Sequence, residues 1–586
     1  MAAAPPPADK NINEAPAYFP DHSGSRTMLT AHAQKTWRRA ALAGLALAVL
    51  VVLATFQDYG ITWDAPYHMA NGKHVLAYYA TLFEDRTVLT YHNLYLYGGA
   101  FDGLVALANL VSPLGEYETS HLLNALVGLI GVIGCWKLAN TLGGVRAAFL
   151  AALFLMVTPA WYGHMFNNPK DIPFAAAMTW SLYYMARLGE SLPNPSRGLV
   201  AKLGIVLGLT LGIRVGGVIA FFYLGIVVAA HLIARWRTEP LQETALVAWR
   251  IGLHALLPAA AIAYVVMLLG WPWAQQDPIN NPLAALRLFS HIKWDIDVLF
   301  EGRLVNSMHL PADYLPVYFA VTLPEVVLAL LLLGIPIAIG AVLMRRAAKG
   351  AAVQPGRTLL FVAIAFPFAY FILLRPVTYD GIRHFLFVLP PIAVAAGLVA
   401  DYLLDRARAG TPRHVVAGVF AAAIAWQIGT MVRLHPDEYV YYNELVGGVD
   451  GAEENFELDY WGNSYAEAVT ELADYLRRET PGGPKQVYRV AVCSSGTSAS
   501  YFFPPFLTMA KDEYDADFYI AVTRLGCDAE MEGNEIIRIE RDGATLSVVK
   551  DRRRLKIEHP ERLRLAGPPT VRVHPGAIND PTSTVR

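Results

Sequence analysis

Long apolar runs separated by short polar breaks fill the chain up to about residue 434. Runs near the ~20 residues a membrane-spanning helix needs fall at about 40–57, 121–141, 145–162, 172–188, 199–213, 215–234, 248–271, 316–343, 357–374, 384–404 and 413–431. The stretch 199–234 is too long for one span and is interrupted at 212–217, so it reads as two helices joined by a tight turn. The pattern predicts an α-helical polytopic membrane protein with about eleven transmembrane helices. Past residue 435 the periodicity changes. Residues 464–479 predict an amphipathic helix, and 487–493 and 517–523 predict buried parallel strands. Residues 536–540 and 544–549 flank Arg541-Asp-Gly543, a hairpin signal. The expected organisation is a transmembrane domain over 36–434 and a small C-terminal α/β domain over 435–555. The Pro- and Ala-rich residues 1–35 are expected to be a disordered tail, and 556–586 a flexible one. No internal repeat is visible.

Composition supports the membrane reading. Only 16% of the residues are charged and the mean hydropathy is +0.35, too apolar for an ordinary soluble chain. The Lys and Arg residues are scattered, which argues against a nucleic-acid partner. Lys35, Arg38 and Arg39 precede an apolar segment with no small-residue cleavage site, as in an uncleaved anchor. Arg38, Arg39, Arg146, Arg187, Arg197, Arg235, Arg237, Arg345, Arg346, Arg406 and Arg408 fall on one side of the eleven-span arrangement. The positive-inside rule makes that side the cytoplasm. The N-terminus is then cytoplasmic, and segments 58–120, 163–171, 272–315 and 375–383, with everything after about 432, are expected on the outer side of the membrane. Residues 100–110 are amphipathic enough to lie flat on that surface.

Charge at the edge of hydrocarbon is costly and needs a reason. Asp58, Asp64, Lys170, Asp171, Arg214 and Arg383 all map to outer membrane edges, with Arg375 nearby. Any single basic residue there can be explained by snorkelling; several converging opposite two carboxylates point to a site. Asp171 is also placed to act as a first-turn helix acid, a role compatible with a functional one. Asp58 reads as a solvated loop residue. His68, His74 and His164 show no metal-ligand spacing, so no metal and no cofactor is expected.

Cations beside a carboxylate suit transfer of a sugar from a lipid phosphate. The phosphate leaves without a general acid, and a cation 4 Å from it contributes roughly 4 kcal/mol at an effective dielectric of ~20 before desolvation. One positioned Asp can remove the acceptor proton, for roughly a 10²–10⁴-fold gain. Attack from the opposite face inverts the anomeric centre. Double displacement would need two carboxylates within ~5.5 Å of each other.

Three stretches carry a family resemblance. Trp63-Asp64-Ala65-Pro66-Tyr67 resembles the Asp-Glu-Pro-x-Tyr element of glycosyltransferase family 39 in the GT-C superfamily, with Ala65 at the second acidic position. Asn168-Pro169-Lys170-Asp171-Ile172-Pro173 is similar to that family's second outer-loop element, and Gly381-Ile-Arg383-His384-Phe385 to its Arg-aromatic element. Pro311-Ala-Asp-Tyr314-Leu-Pro316 followed by Thr322-Leu-Pro324-Glu325 is also similar. The resemblance covers about 40–445 and extends to bacterial relatives such as the lipid A aminoarabinose transferase. It implies an inverting glycosyltransferase fed by a polyprenyl-phosphate sugar, with Asp64 as base and Asp171 orienting base or acceptor. Lys170, Arg214, Arg375, Arg383 and His384 would bind the donor phosphate, and Tyr67, Asn168 and Tyr314 the acceptor or sugar. The acceptor is a lipid, glycan or protein.

The segment 441–462 resembles an element that follows the last helix in bacterial members, where its aromatics stack on a sugar or, as the preferred reading, pack the soluble domain onto the membrane part. Cys493 and Cys527 follow adjacent expected strands, which leaves a disulfide and free buried thiols both open. Two rival functions share these features. A flippase or transporter of lipid-linked sugars would place its ionisable groups near mid-membrane within inverted repeats. A polymerase or ligase would use a similar outer face.

Overall fold

The computed structural model describes residues 30–347, 354–407 and 410–558. Each of the eleven apolar runs is helical. Among the described residues, seven helices are long and apolar enough to cross a membrane, or eight if a bent pair counts as one span. That bent pair corrects the expectation of one straight helix over 145–162. Val145–Met156 and Pro159–Asn167 meet at 63°, because Pro159 has no N–H to continue the ladder and instead starts a new helix. The run 316–343 likewise divides, at Leu323-Pro324, into Tyr314–Thr322 and Glu325–Ala347. The first helix starts at Ala31, inside the segment expected to be a tail. The rest of that tail (1–29), residues 559–586 of the C-terminal one, and Arg408 lie outside the described residues.

Arg146 belongs to the core rather than to an exposed basic loop. Its side chain is 2% exposed and pairs with Asp401 (2.6 Å) and Asp405 (2.5 Å), tying Val145–Met156 to Leu389–Arg406. Residues 100–110, expected to be amphipathic, contain the helix Ala100–Asn109. It buries Phe101, Val105 and Ala106 and exposes Leu104, Leu107 and, just beyond its end, Leu110.

The C-terminal strands form one sheet. We label β1 Asp297–Phe300 and β2 Arg303–Asn306, a separate hairpin in the loop before Tyr314. The sheet itself contains β3 Tyr488–Val492, β4 Leu507–Met509, β5 Phe518–Val522, β6 Asn534–Arg541 and β7 Ala544–Asp551, in the order β4-β3-β5-β7-β6. β3 and β5 are parallel neighbours as expected, and β6 and β7 are an antiparallel hairpin. The edge strand β4 is too short to leave a periodic signal. The helix Tyr465–Glu479 covers the sheet with Ala468, Val469, Leu472 and Leu476. Cys493 and Cys527 are joined in a disulfide, with a Cα–Cα distance of 6.1 Å.

Residues 435–464 run back over the membrane helices. His435 bridges Asp58 (3.0 Å) and Glu438 (2.8 Å). Burial works against its charge, but the two carboxylates outweigh it and hold the imidazole up at about 9. Tyr439, Tyr441, Tyr442, Tyr460 and Trp461 are all buried, in line with the packing reading of this segment. Gly60 makes the closest approach: a Cβ there would lie 2.1 Å from the Asn463 carbonyl oxygen, while the Gly60 N–H donates to Asn463 Oδ1 at 2.9 Å.

Candidate functional site

Asp64 ends the loop 58–64 and immediately precedes the helix Ala65–Ala80, whose Pro66 suits a first helical turn. The loop is fixed from outside. Trp63 N–H donates to the Trp461 carbonyl (3.3 Å) and Thr62 Oγ1 to the Asn167 carbonyl (3.2 Å). The Asp64 side chain is 40% exposed and accepts from Arg383 at 3.0 Å. Arg383 is 7% exposed and also faces Asp380 at 3.2 Å. Its guanidinium lies between the rings of Tyr379 (5.0 Å) and Trp461 (4.8 Å). Stacking plus two carboxylates leaves this cation little freedom.

Asp171 opens the helix Asp171–Ser191, so the helix-start role and the site role coexist. It is 6% exposed and pairs with Arg214 at 2.6 Å. Asn168 clasps it twice, donating from Nδ2 to Oδ2 (3.0 Å) and accepting the Asp171 N–H at Oδ1 (2.9 Å). Behind Asn168, His164 Nδ1 lies 3.3 Å from Asn168 Nδ2 and His164 Nε2 lies 3.1 Å from the Tyr460 hydroxyl. Arg214 caps the helix Arg197–Ile213 in an extended conformation at the interruption read from the sequence.

Lys170 forms no ion pair among the described residues. Its Nζ lies 3.1 Å from the centroid of the Tyr97 ring. Burial, reinforced by Arg214, pushes the ammonium down to about 7 despite Asp171 and Asp64 nearby. Tyr97 reaches this position because Gly98 passes against Gly212, where a Cβ would be 1.2 Å from the Gly212 carbonyl oxygen. His384 is held by Thr378 Oγ1 at 2.8 Å and meets Tyr379 edge-on at 4.8 Å.

Asp64, Asp171, Lys170, Arg214, Arg383 and His384 therefore come together from segments more than 300 residues apart. The other expected site residues stand differently. Arg375 ends Pro355–Leu374 in a left-handed conformation (φ 45°), is exposed, and forms no ion pair or hydrogen bond with the cluster among the described residues. Tyr314 is fully buried between Phe300, Tyr318 and Phe371. Tyr67 is half-buried and meets His92 edge-on at 5.2 Å. Asn168 serves Asp171. His68 pairs with Asp102 (3.1 Å), His74 packs at a tilt against Tyr91, and His164 lies beside Asn168 and Tyr460.

Asp380, Arg524 and Glu457 were missed. Asp380 accepts from Arg524 at 2.7 Å, and Arg524 donates to Glu457 at 3.1 Å, extending a chain of alternating charge from Asp64 to the sheet. Burial pushes the Glu457 carboxyl up, with Arg524 opposing. The Asp380-Gly381 pair was a readable turn signal, and both residues take left-handed φ (59° and 62°). A lone Arg after a buried strand carries no comparable signal.

A cavity of about 300 Å³ lies away from the cluster, lined by Glu325, Trp426, Arg433, Tyr441, Asn443 and Asp542 among others. A cramped hollow of about 10 Å³ borders the cluster at Lys170, Tyr97, His68 and Ile213.

Residues 107–273 match the family described as dolichyl-phosphate-mannose-protein mannosyltransferase. The chain resembles the GT-C superfamily of membrane glycosyltransferases. The matched region contains Lys170, Asp171 and Arg214 and excludes Asp64 and Arg383. Among solved structures, ArnT from Cupriavidus metallidurans in the apo state is similar at 16% identity and a TM-score of 0.45, over 88% of this chain and 98% of that one. Its complex with undecaprenyl phosphate is similar at 16% identity and a TM-score of 0.44, with the same coverage. The Archaeoglobus fulgidus oligosaccharyltransferase in the apo form is similar at 14% identity and a TM-score of 0.44, over 80% of this chain and 65% of that one. No curated protein matches significantly.

Proposed function

We propose that this multi-pass membrane protein transfers a sugar from a polyprenyl-phosphate donor to an extracytoplasmic acceptor with inversion. The observation that carries the reading is the half-exposed Asp64 carboxylate held by Arg383, in one cluster with Asp171, Arg214, Lys170 and His384. Asp64 is the base that takes the proton of the acceptor hydroxyl. Its exposure leaves one oxygen open to that hydroxyl, and Arg383 fixes its orientation. The acceptor oxygen bonds to the anomeric carbon as the bond to the phosphate oxygen breaks, and the phosphate departs with both electrons. Lys170 is the cation free to meet that phosphate, with Arg214 and Arg383 adding to the field. Asp171 orients Arg214 and, through Asn168, the start of its own helix.

In this reading the membrane unit covers 36–434 and a periplasmic C-terminal unit covers 435–555. The disulfide supports an oxidising compartment for that unit.

The test uses a deletion strain whose envelope lipids and glycans are profiled, complemented with wild-type or Asp64→Asn protein. A glycan species lost on deletion is expected to return with the wild type and not with the variant. Restoration by Asp64→Asn refutes the base assignment, and an unchanged profile on deletion refutes the transfer.

A further inference from the structure

The membrane helices do not hold Asp64 alone. Arg383 faces Asp380, which is 1% exposed and accepts from Arg524, the first residue of the turn Arg524–Ala529 after β5. Arg524 uses all three guanidinium nitrogens: Nη2 to Asp380 (2.7 Å), Nε to Glu457 (3.1 Å) and Nη1 to the Tyr460 carbonyl (2.9 Å). Its guanidinium also lies 4.8 Å over the ring of Trp63, the neighbour of Asp64. Two routes thus lead from one side chain of the C-terminal sheet to the proposed base.

The turn that carries Arg524 has an unfavourable shape. Leu525 and Gly526 take left-handed φ angles of 53° and 71°, which a leucine adopts only when its surroundings impose it. Three residues after Arg524, Cys527 is bonded to Cys493 at the end of β3, and the Cys527 carbonyl accepts from the Tyr519 hydroxyl at 2.8 Å. The far end of the turn is therefore fixed to the sheet by a covalent bond and a buried hydrogen bond.

We propose that Arg524 and Asp380 are positioning residues for the Asp64–Arg383 pair, and that the Cys493–Cys527 disulfide, by fixing the Arg524 turn, makes the membrane site depend on an oxidised C-terminal unit. The role as a positioner of the base rests on the reading of Asp64 given above; the mechanical coupling does not.

The experiment is hydrogen exchange on the full-length protein in nanodiscs, following amides in 60–65 and 378–386. The samples are wild type, Arg524→Ala, Arg524→Lys, Asp380→Asn, and wild type treated with dithiothreitol. That dithiol supplies two electrons and two protons, becomes a cyclic disulfide, and leaves Cys493 and Cys527 as thiols. Arg524→Ala and reduction are each expected to speed exchange in both segments about tenfold or more, with Ala31–Thr55 unchanged. Arg524→Lys keeps the charge but not the three-way fork, and recovers part of the protection. Unchanged exchange in 60–65, or an equal rise across all helices, overturns the proposal. If Arg524→Ala does not fold, Asp380→Asn and reduction of the wild type decide it by the same criterion. The same variants are scored in the complemented strain. Flat exchange with an inactive Asp64→Asn refutes the positioning alone, whereas localised loosening with an active Asp64→Asn refutes the base assignment alone.

Discussion

The two carboxylates of the site sit in opposite situations. Asp171 is 6% exposed and enclosed, with Arg214 ion-paired to one oxygen and Asn168 donating to the other. Asp64 is 40% exposed and held on one oxygen by Arg383. A buried carboxylate with a cation against it fixes its neighbours and is closed off from an incoming hydroxyl. A half-open one, anchored but not enclosed, can accept its proton. The same residue type thus becomes an organiser in one place and a candidate base in the other, through surroundings alone.

Exchanging the charges one at a time tests this contrast. The largest effect is expected from Asp64→Asn, which retains shape and loses the base. Turnover measured by restoration of envelope glycan should fall by roughly 10²–10⁴-fold while thermal unfolding stays near wild type. Next, Asp171→Ala leaves Arg214 facing no carboxylate in a mostly buried position. Stability is expected to fall by about 3–5 kcal/mol, read as a lower unfolding temperature in detergent. If Asp171→Ala were as stable as wild type and Asp64→Asn unfolded, the two roles would be reversed.

The loop that presents Asp64 gives a third test, through His435 and Asp58. The His435 pKa is raised from its usual 6.5 to about 9, so its contribution is complete below pH ~6.5 and disappears as pH rises through about 9. Wild type is expected to lose roughly 2–3 kcal/mol between pH 6 and pH 9.5 from this group. His435→Asn should flatten that part of the unfolding curve. The smallest effect concerns Lys170. With its ammonium titrating near 7, affinity for undecaprenyl phosphate should weaken as pH rises past neutrality. Bound phosphate raises the pKa, so the midpoint in the complex lies above 7. Lys170→Gln is expected to bind about tenfold more weakly at pH 6 and to lose most of the pH dependence. An unchanged pH profile in Lys170→Gln would remove this side chain from phosphate binding.

Much of the architecture was legible along the chain. The apolar runs marked the long apolar helices, since a spanning segment must satisfy its backbone internally and shows this as ~20 apolar residues. Strands β3 and β5 and the β6–β7 hairpin were legible for the analogous reason that buried strands concentrate β-branched residues and turns require Gly. The helix breaks at Val157-Thr158 and Leu323-Pro324 were not, because a bend leaves the hydropathy of the run unchanged. Of the proposed site residues, those flanking apolar runs were found and those buried in loops or in the sheet were not. Arg375 shows the limit of the positional argument: like Arg383 it borders an apolar run, but it is exposed and forms no ion pair or hydrogen bond with the cluster among the described residues.

By itself the sequence determined the class of the protein, the approximate ends of most long apolar helices and the position of Asp64, Lys170, Asp171, Arg214 and Arg383 beside apolar runs. These are local matters of hydropathy and of the cost of charge near hydrocarbon. Only the tertiary structure decided which charges meet. Pairing Asp64 with Arg383 spans 319 residues, and Asp380 with Arg524 spans 144. No periodicity encodes such contacts, because they arise when helices and sheet bury their apolar faces and bring the remaining charges together.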